Sequence, residues 1–247
     1  MSILLYKEVG ETPLECLERA RRAQGIADNI PMTYAGRLDP MAEGVLLVLV
    51  GEECKEKEKF LGFDKEYEVE VLFGVATDTL DVLGVIQQVT AGGKVTKEFL
   101  EQIPERYIGT FSQKYPAYSS KTVAGKALHT HARENTLPEK NGREMPERDV
   151  KIYSIDFCGQ REMAGADIAR QAIEKISKVH GDFRQAEIIA GWEVFAEKNA
   201  ETQFPIIKLK VKCSTGTYMR VLAERIGKDA GTAAIASSIV RTKIGNL

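Results

Sequence analysis

The chain alternates between two hydrophobic rhythms, and each predicts its own kind of element. From Lys65, Tyr67, Val69, Val71 and Phe73 alternate with Glu66, Glu68 and Glu70, the period-two pattern of a half-buried antiparallel strand with Tyr67 facing inward. Ile207, Leu209, Val211 and Cys213 alternate in the same way with Lys208, Lys210 and Lys212, so a second strand carries one apolar and one lysine face. Val45 to Val50 is an unbroken apolar run between Gly44 and Gly51, which reads as a strand buried on both faces. Short strands are also expected at Ile3–Lys7 and Val150–Phe157.

Helical periodicity appears elsewhere. Thr12-Pro13-Leu14-Glu15 is a capping box with proline at the first helical position, and Gly25 is a stop, predicting a helix over 13–24. Thr96 starts a helix expected to end by Pro104. Ile168, Ala172, Ile176 and Val179 fall on one helical face closed by Gly181, and a further helix is expected at Tyr218–Ile226, stopped by Gly227. Glu52–Lys59 reads as a solvated turn or helix face, Thr77–Asp81 as a polar turn, residues 106–133 as irregular and basic, and Pro138–Pro146 as a loop. The order mixes helices and strands without a strict β-α-β rhythm, which gives an α+β class.

Composition narrows the function classes. With 247 residues, 43% hydrophobic, the chain is long enough for a core without disulfide or metal staples. Its longest apolar run is far below the roughly 18 residues of a membrane span, and a cytoplasmic protein is expected. The four cysteines, Cys16, Cys54, Cys158 and Cys213, form no C-x-x-C pair and read as small buried hydrophobes. A net charge of −2 argues against indiscriminate nucleic-acid coating but leaves room for a local basic groove. Lys114, Lys121, Lys126 and Arg133 cluster with Phe111, Tyr115 and Tyr118 and no acid, and residues 205–247 hold eight basic against two acidic side chains. Charge with aromatics suits RNA, where phosphates are neutralised and bases stack; two solvated surfaces are the plainer alternative.

No phosphate-binding glycine loop, zinc-protease motif or serine-hydrolase elbow is present. Asp39-Pro40, on a glycine-flanked loop feeding the buried strand, is a candidate site, although a turn with Arg37 neutralising Asp39 explains it as well. Arg220 has a simple partner in Glu224 on its own helix. His129 and His131 read as surface or RNA-contact residues, and Asp78 and Asp81 as part of a turn.

Five blocks together resemble the TruB-type tRNA pseudouridine synthases. Gly36-Arg37-Leu38-Asp39-Pro40-Met41-Ala42-Glu43-Gly44-Val45-Leu46 resembles the family's catalytic loop, and Lys65-Glu66-Tyr67 through Thr77-Asp78-Thr79-Leu80-Asp81 its K-x-Y and T-D-T-x-D block. Gln113 through Gly125, Cys213-Ser214-Thr215-Gly216-Thr217-Tyr218-Met219-Arg220, and Arg241-Thr242 are similar to its later blocks, in the family's order. The resemblance implies a single catalytic domain over 1–247 of pseudouridine synthase fold, a mainly antiparallel mixed sheet flanked by helices. It also implies isomerisation of a flipped-out uridine in RNA, with uridine 55 in the T-arm of tRNA leading, without metal or organic cofactor. Asp39 would attack or deprotonate the nucleoside, Tyr67 would stack on the base and help move a proton, and Arg220 would pair with Asp39. Lys7, Tyr34, Arg37, Tyr118, Lys121, Tyr218 and Arg241 would bind substrate. A segment of about 110–135 would clasp RNA, and the lysine-bearing strand and C-terminal region would line the cleft.

Tyr34 stands where histidine is usual, and Arg37 resembles the related RsuA and RluA families, which makes a ribosomal RNA the alternative substrate; a non-catalytic RNA-binding protein is the alternative of another class. The stretch 160–204 is longer than usual in the family and is expected to pack on the sheet. A C-terminal PUA domain is expected to be absent, and by analogy the chain to be a monomer.

Overall fold

In the computed structural model, which describes residues 1–90 and 95–247, one mixed sheet organises the chain. Its strands are β1 (Ser2–Lys7), β2 (Met32–Ala35), β3 (Ala42–Val50), β4 (Lys65–Phe73), β7 (Gly109–Lys114), β10 (Glu147–Ala164), β11 (Gln203–Cys213) and β12 (Ala234–Ile244). They run in the order β1-β3-β12-β4-β11-β10-β7, with β2 on β3; among these strand pairs β3–β12 is parallel and the others are antiparallel. Two small hairpins, β5 (Val75–Thr77) with β6 (Ile86–Val89) and β8 (Thr122–Val123) with β9 (Lys126–Ala127), lie outside it.

The period-two patterns decide the faces of the central strands, because a one-residue slip would turn every side chain over. Tyr67, Val69, Val71 and Phe73 share a face with Ile207, Leu209, Val211 and Cys213. That face is buried beneath α3 (Lys97–Tyr107) and α7 (Met219–Asp229). On the opposite face Lys208, Lys210 and Lys212 stand in register with Glu70, Glu68 and Glu66, and Lys208 also reaches Glu68 at 2.6 Å. The lysine strand therefore does not line the cleft as expected: its charges turn away from Tyr67 and are matched by the neighbouring strand. Further along this second face Leu72, Ile206 and Ile235 are apolar, and α5 (Gly165–Ile176) and α6 (Gln185–Asn199) cover them. The 160–204 stretch thus packs on the sheet.

β3 is buried on both sides, with Leu46 and Val48 toward α1 (Pro13–Ala23) and Leu47 and Leu49 toward Ile244 and Phe60 of the short α2 (Lys57–Leu61). Thr12 caps α1 as read, accepting from the Glu15 N–H while Glu15 accepts from the Thr12 N–H.

Several boundaries differ from the sequence reading. Proline clashes with the carbonyl four residues before it and does not prevent the chain continuing. Accordingly, α3 runs past Pro104 to Tyr107, helped by burial of Ile103 and Tyr107. Gly227 lies inside α7 because a side chain there would meet Ala234: its Cβ would stand 2.5 Å from that of Ala234. The 106–133 segment is more regular than read, containing β7, the β8–β9 hairpin and α4 (Leu128–Arg133). β10 is longer than expected, its pairing with β11 carried past Phe157 by register shifts. α6 was unanticipated, although Ile188, Trp192 and Phe195 have the spacing of a buried helical face. Among the described residues, no helix is long and apolar enough to cross a membrane.

Candidate active site

Asp39 sits on the short connection from β2 into β3, and three buried cations hold that connection. Lys7 of β1, fully buried, donates to the carbonyls of Ala42 at 2.5 Å, Glu8 at 2.8 Å and Pro40 at 3.4 Å. Arg241 of β12 donates to Val45 O at 2.8 Å, Gly36 O at 3.1 Å and Arg37 O at 3.2 Å. Gly44 is required at this crossing: its φ is +109°, and a Cβ would stand 2.8 Å from the Arg241 nitrogen.

The third cation reaches the carboxylate itself. Arg220, in the first turn of α7, donates from Nε to Asp39 Oδ2 at 2.8 Å. It also donates to Thr79 O at 2.5 Å and Tyr118 O at 3.1 Å, and Nε lies 3.8 Å from Asp81 Oδ2. One guanidinium therefore ties together the Asp39 loop, the 77–81 turn and the 110–135 segment. A buried charge of this kind is tolerated because it is paired and every arm is hydrogen-bonded. The side chains of Asp39 and Arg220 are 38% and 3% exposed, so Asp39 faces the cleft and Arg220 lies behind it.

Two adjoining cavities flank Asp39. The first, about 200 Å³, is lined by Asp39, Tyr67, Tyr218, Lys65, Ser119 and Arg241 among others. The second, about 430 Å³, is bounded by Tyr34, Tyr118, Phe183, Arg184, Arg133 and Leu14, and shares Arg37, Asp39 and Ser119 with the first. The electrostatics are uneven. Burial lowers Lys7 to about 8, and burial, reinforced by the charge of Arg241, lowers Lys65 to about 8. Burial raises the Tyr67 phenol, which keeps it a proton donor at neutral pH. Burial also pushes Asp81 up to about 6, against the pull of Arg220. Among the described residues, no group of three or more His, Cys, Asp or Glu side chains converges as a metal site.

Residues 26–172 match the model of the TruB family pseudouridylate synthase N-terminal domain, which is more than half of the chain. The chain belongs to the TruB family. Relatives of this TruB chain include the tRNA pseudouridine synthase B of Geobacillus thermodenitrificans, 30% identical over 98% of the chain and 66% of the relative. Another is that of Ralstonia pickettii, 29% identical over 99% of the chain and 62% of the relative. The TruB chain thus spans less than two thirds of the length of each. Among solved structures, one of a Cbf5-Nop10-Gar1 complex aligns with a TM-score of 0.58 at 18% identity, covering 99% of this chain and 48% of that one, and supports the fold.

Within this TruB fold, Asp39, Tyr67 and Arg220 come together although 181 residues separate the paired Asp39 and Arg220. Tyr218 lines the first cavity and Tyr118 the second. Tyr34 lies on the second cavity with the guanidinium of Arg37 at 5.9 Å and the ammonium of Lys57 at 5.4 Å from its ring, and the ion-pair partner of Asp39 among the described residues is Arg220 and not Arg37. Lys121 is exposed outside both cavities, over the ring of Tyr115 at 5.2 Å. Of the residues read as substrate ligands, Lys7 is buried with its ammonium on three main-chain carbonyls and lines neither cavity, whereas Arg241 both holds the loop and lines the first cavity. Glu224 pairs with Lys228 at 2.7 Å and not with Arg220.

Asp81, Ser119, Lys65 and Arg184 were not singled out as site residues from the sequence. Asp81 and Lys65 lie inside blocks that carried the family resemblance, a usable signal. Arg184 lies in the 160–204 stretch and carries no such signal.

Proposed function

We propose that this chain isomerises uridine to pseudouridine in tRNA, at uridine 55 of the T-loop. The reading is supported above all by the Asp39 carboxylate, held through one oxygen by a buried arginine and set between two cavities beside Tyr67. The names of the relatives, tRNA pseudouridine synthase B, support tRNA as the substrate class. The reaction breaks the bond from N1 of uracil to C1′ of the ribose and makes one from C5 to C1′; a proton leaves C5 and N1 gains one. The composition of the nucleoside is unchanged, so no redox partner or donor group is consumed.

Asp39 is the catalytic carboxylate. Its Oδ2 is fixed by Arg220, and among the described residues Oδ1 has no hydrogen-bond partner, which leaves it to act on the nucleoside. Tyr67, protonated and walling the first cavity, stacks on the extruded base and offers a proton donor. Extrusion from a folded RNA costs a few kcal/mol, and base–aromatic stacking offsets about 1–3 kcal/mol of it. Tyr34, Arg37 and Tyr118 in the second cavity meet the nucleotides beside the target.

The test is pseudouridine formation on an in vitro transcribed tRNA, mapped at nucleotide resolution, with Asp39→Asn as control. Wild type should form product at the T-loop uridine, and the variant none, with RNA affinity kept within about threefold. Product from the variant would refute the assignment of Asp39. RNA binding without product by wild type on tRNA would redirect the search to ribosomal RNA or to a non-catalytic RNA-binding role.

A further inference from the structure

Among the described residues, the 160–204 stretch lines the two cavities only through the loop between its helices. The exposed faces of its two helices carry Glu174, Glu187, Glu193 and Glu197 against Arg170 and Lys198, a net acidic surface that does not favour a phosphate backbone. The loop between them behaves differently, because Phe183 and Arg184 form part of the wall of the second cavity. Arg184 holds a backbone φ of +64°, unusual for a residue with a side chain. From there its guanidinium forks onto Asp78 at 2.7 and 3.2 Å and sits over the ring of Tyr118, 4.6 Å from the centroid. The Tyr118 hydroxyl donates to the same carboxylate at 3.1 Å.

A second tie lies nearby. Arg133, at the end of α4, contacts Asp182 through the carboxylate at 3.4 Å and through its main-chain oxygen. Both ties bind residues 182–184 to the segment that carries Tyr118 and α4. Tyr118 in turn presents its carbonyl to Arg220, the partner of Asp39. A continuous set of contacts therefore runs from the helical stretch to the proposed catalytic carboxylate.

We propose that Arg184 is a positioning residue: through Asp78 and Tyr118 it latches the segment 115–133 over the cleft before RNA arrives. The 160–204 stretch thereby aids substrate capture while its helices stay clear of the nucleic acid. The inference rests on the reading of this cleft as an RNA site, yet the latch itself is measurable without RNA. A forked guanidinium that also stacks on an aromatic ring is not reproduced by an ammonium point charge.

The experiment compares full-length wild type, Arg184→Ala and Arg184→Lys. Tryptic cleavage after the exposed Lys121 and Lys126 is timed in the free proteins, kcat and KM are measured on tRNA, and melting temperatures are recorded. Arg184→Ala should be cut about tenfold faster and show a KM about tenfold higher, with kcat within about twofold. Arg184→Lys should fall between. Unchanged cleavage would overturn the latch, and so would a lowered melting temperature with unchanged KM, which is the signature of a purely structural residue. Absence of product from every protein would refute the proposed activity alone, since the cleavage rates still decide the latch.

Discussion

Asp39 and Asp81 share one cation, and the sharing has a measurable consequence. Arg220 Nε is 2.8 Å from Asp39 Oδ2 and 3.8 Å from Asp81 Oδ2, but the Asp81 side chain is only 6% exposed. Burial pushes Asp81 from 3.8 up to about 6, although Arg220, the Thr79 hydroxyl at 2.7 Å and the Leu83 N–H at 3.0 Å all favour its anion, while the charge of Asp39 opposes it. The folded value lies above the unfolded one, so between about pH 4 and pH 6 the native state keeps a proton that the unfolded chain has lost. The contribution of this group to stability is thus fully present below about pH 4 and lost as pH rises through about 6. A gap of about two units corresponds to about 3 kcal/mol at 1.36 kcal/mol per unit.

Asp81→Asn removes the titration while keeping a side-chain oxygen to accept from Thr79 and Leu83. The stability of the variant relative to wild type should rise by about 3 kcal/mol between pH 4 and pH 7. Urea unfolding at a series of pH values measures it. The single tryptophan is the natural probe, because Trp192 is fully buried and donates to Val82 O at 3.0 Å, the residue next to Asp81. A difference between the two proteins that stays constant within about 0.5 kcal/mol over this range would refute the account of a buried, strained carboxylate beside Arg220.

Two further substitutions test how the site is held. Lys7→Met keeps the apolar stem but strips donors from the carbonyls of Glu8, Pro40 and Ala42. It should cost about 2–4 kcal/mol in urea unfolding and reduce product formation while leaving tRNA affinity unchanged. Gly227→Ala forces a methyl group against Ala234 in the contact between α7 and β12, where the two Cβ atoms would be 2.5 Å apart. It should lower the urea midpoint by an amount equivalent to about 1–3 kcal/mol with an unchanged slope.

The elements and the motifs were legible because their signals are local. The capping box at Thr12, the alternation through Tyr67 and the all-apolar β3 each depend on neighbours a few residues apart, where backbone geometry alone sorts side chains onto faces. The Asp39 loop was recognisable for the same reason, since Gly36 to Leu46 is one continuous stretch. The boundaries that failed, at Pro104 and Gly227, are places where burial against a distant element overrode the local stop signal.

What the tertiary structure alone decided is the use made of each charge. Lys7 and Arg241 are exposed-looking cations in sequence, yet both hold main-chain carbonyls of the Asp39 loop, Lys7 from full burial and Arg241 from the wall of the first cavity. The lysines of β11 read as a basic wall, yet strand register sets them opposite the glutamates of β4 and away from the cleft. Asp81 read as a turn residue, yet it is a buried second carboxylate within ion-pair distance of Arg220. Arg184 carried no signal at all, because its partners Asp78 and Tyr118 lie 106 and 66 positions away along the chain. A charged side chain looks the same in sequence whether water, a carbonyl or a carboxylate will surround it. Only the folding of remote segments onto one another removes the water and chooses the partner.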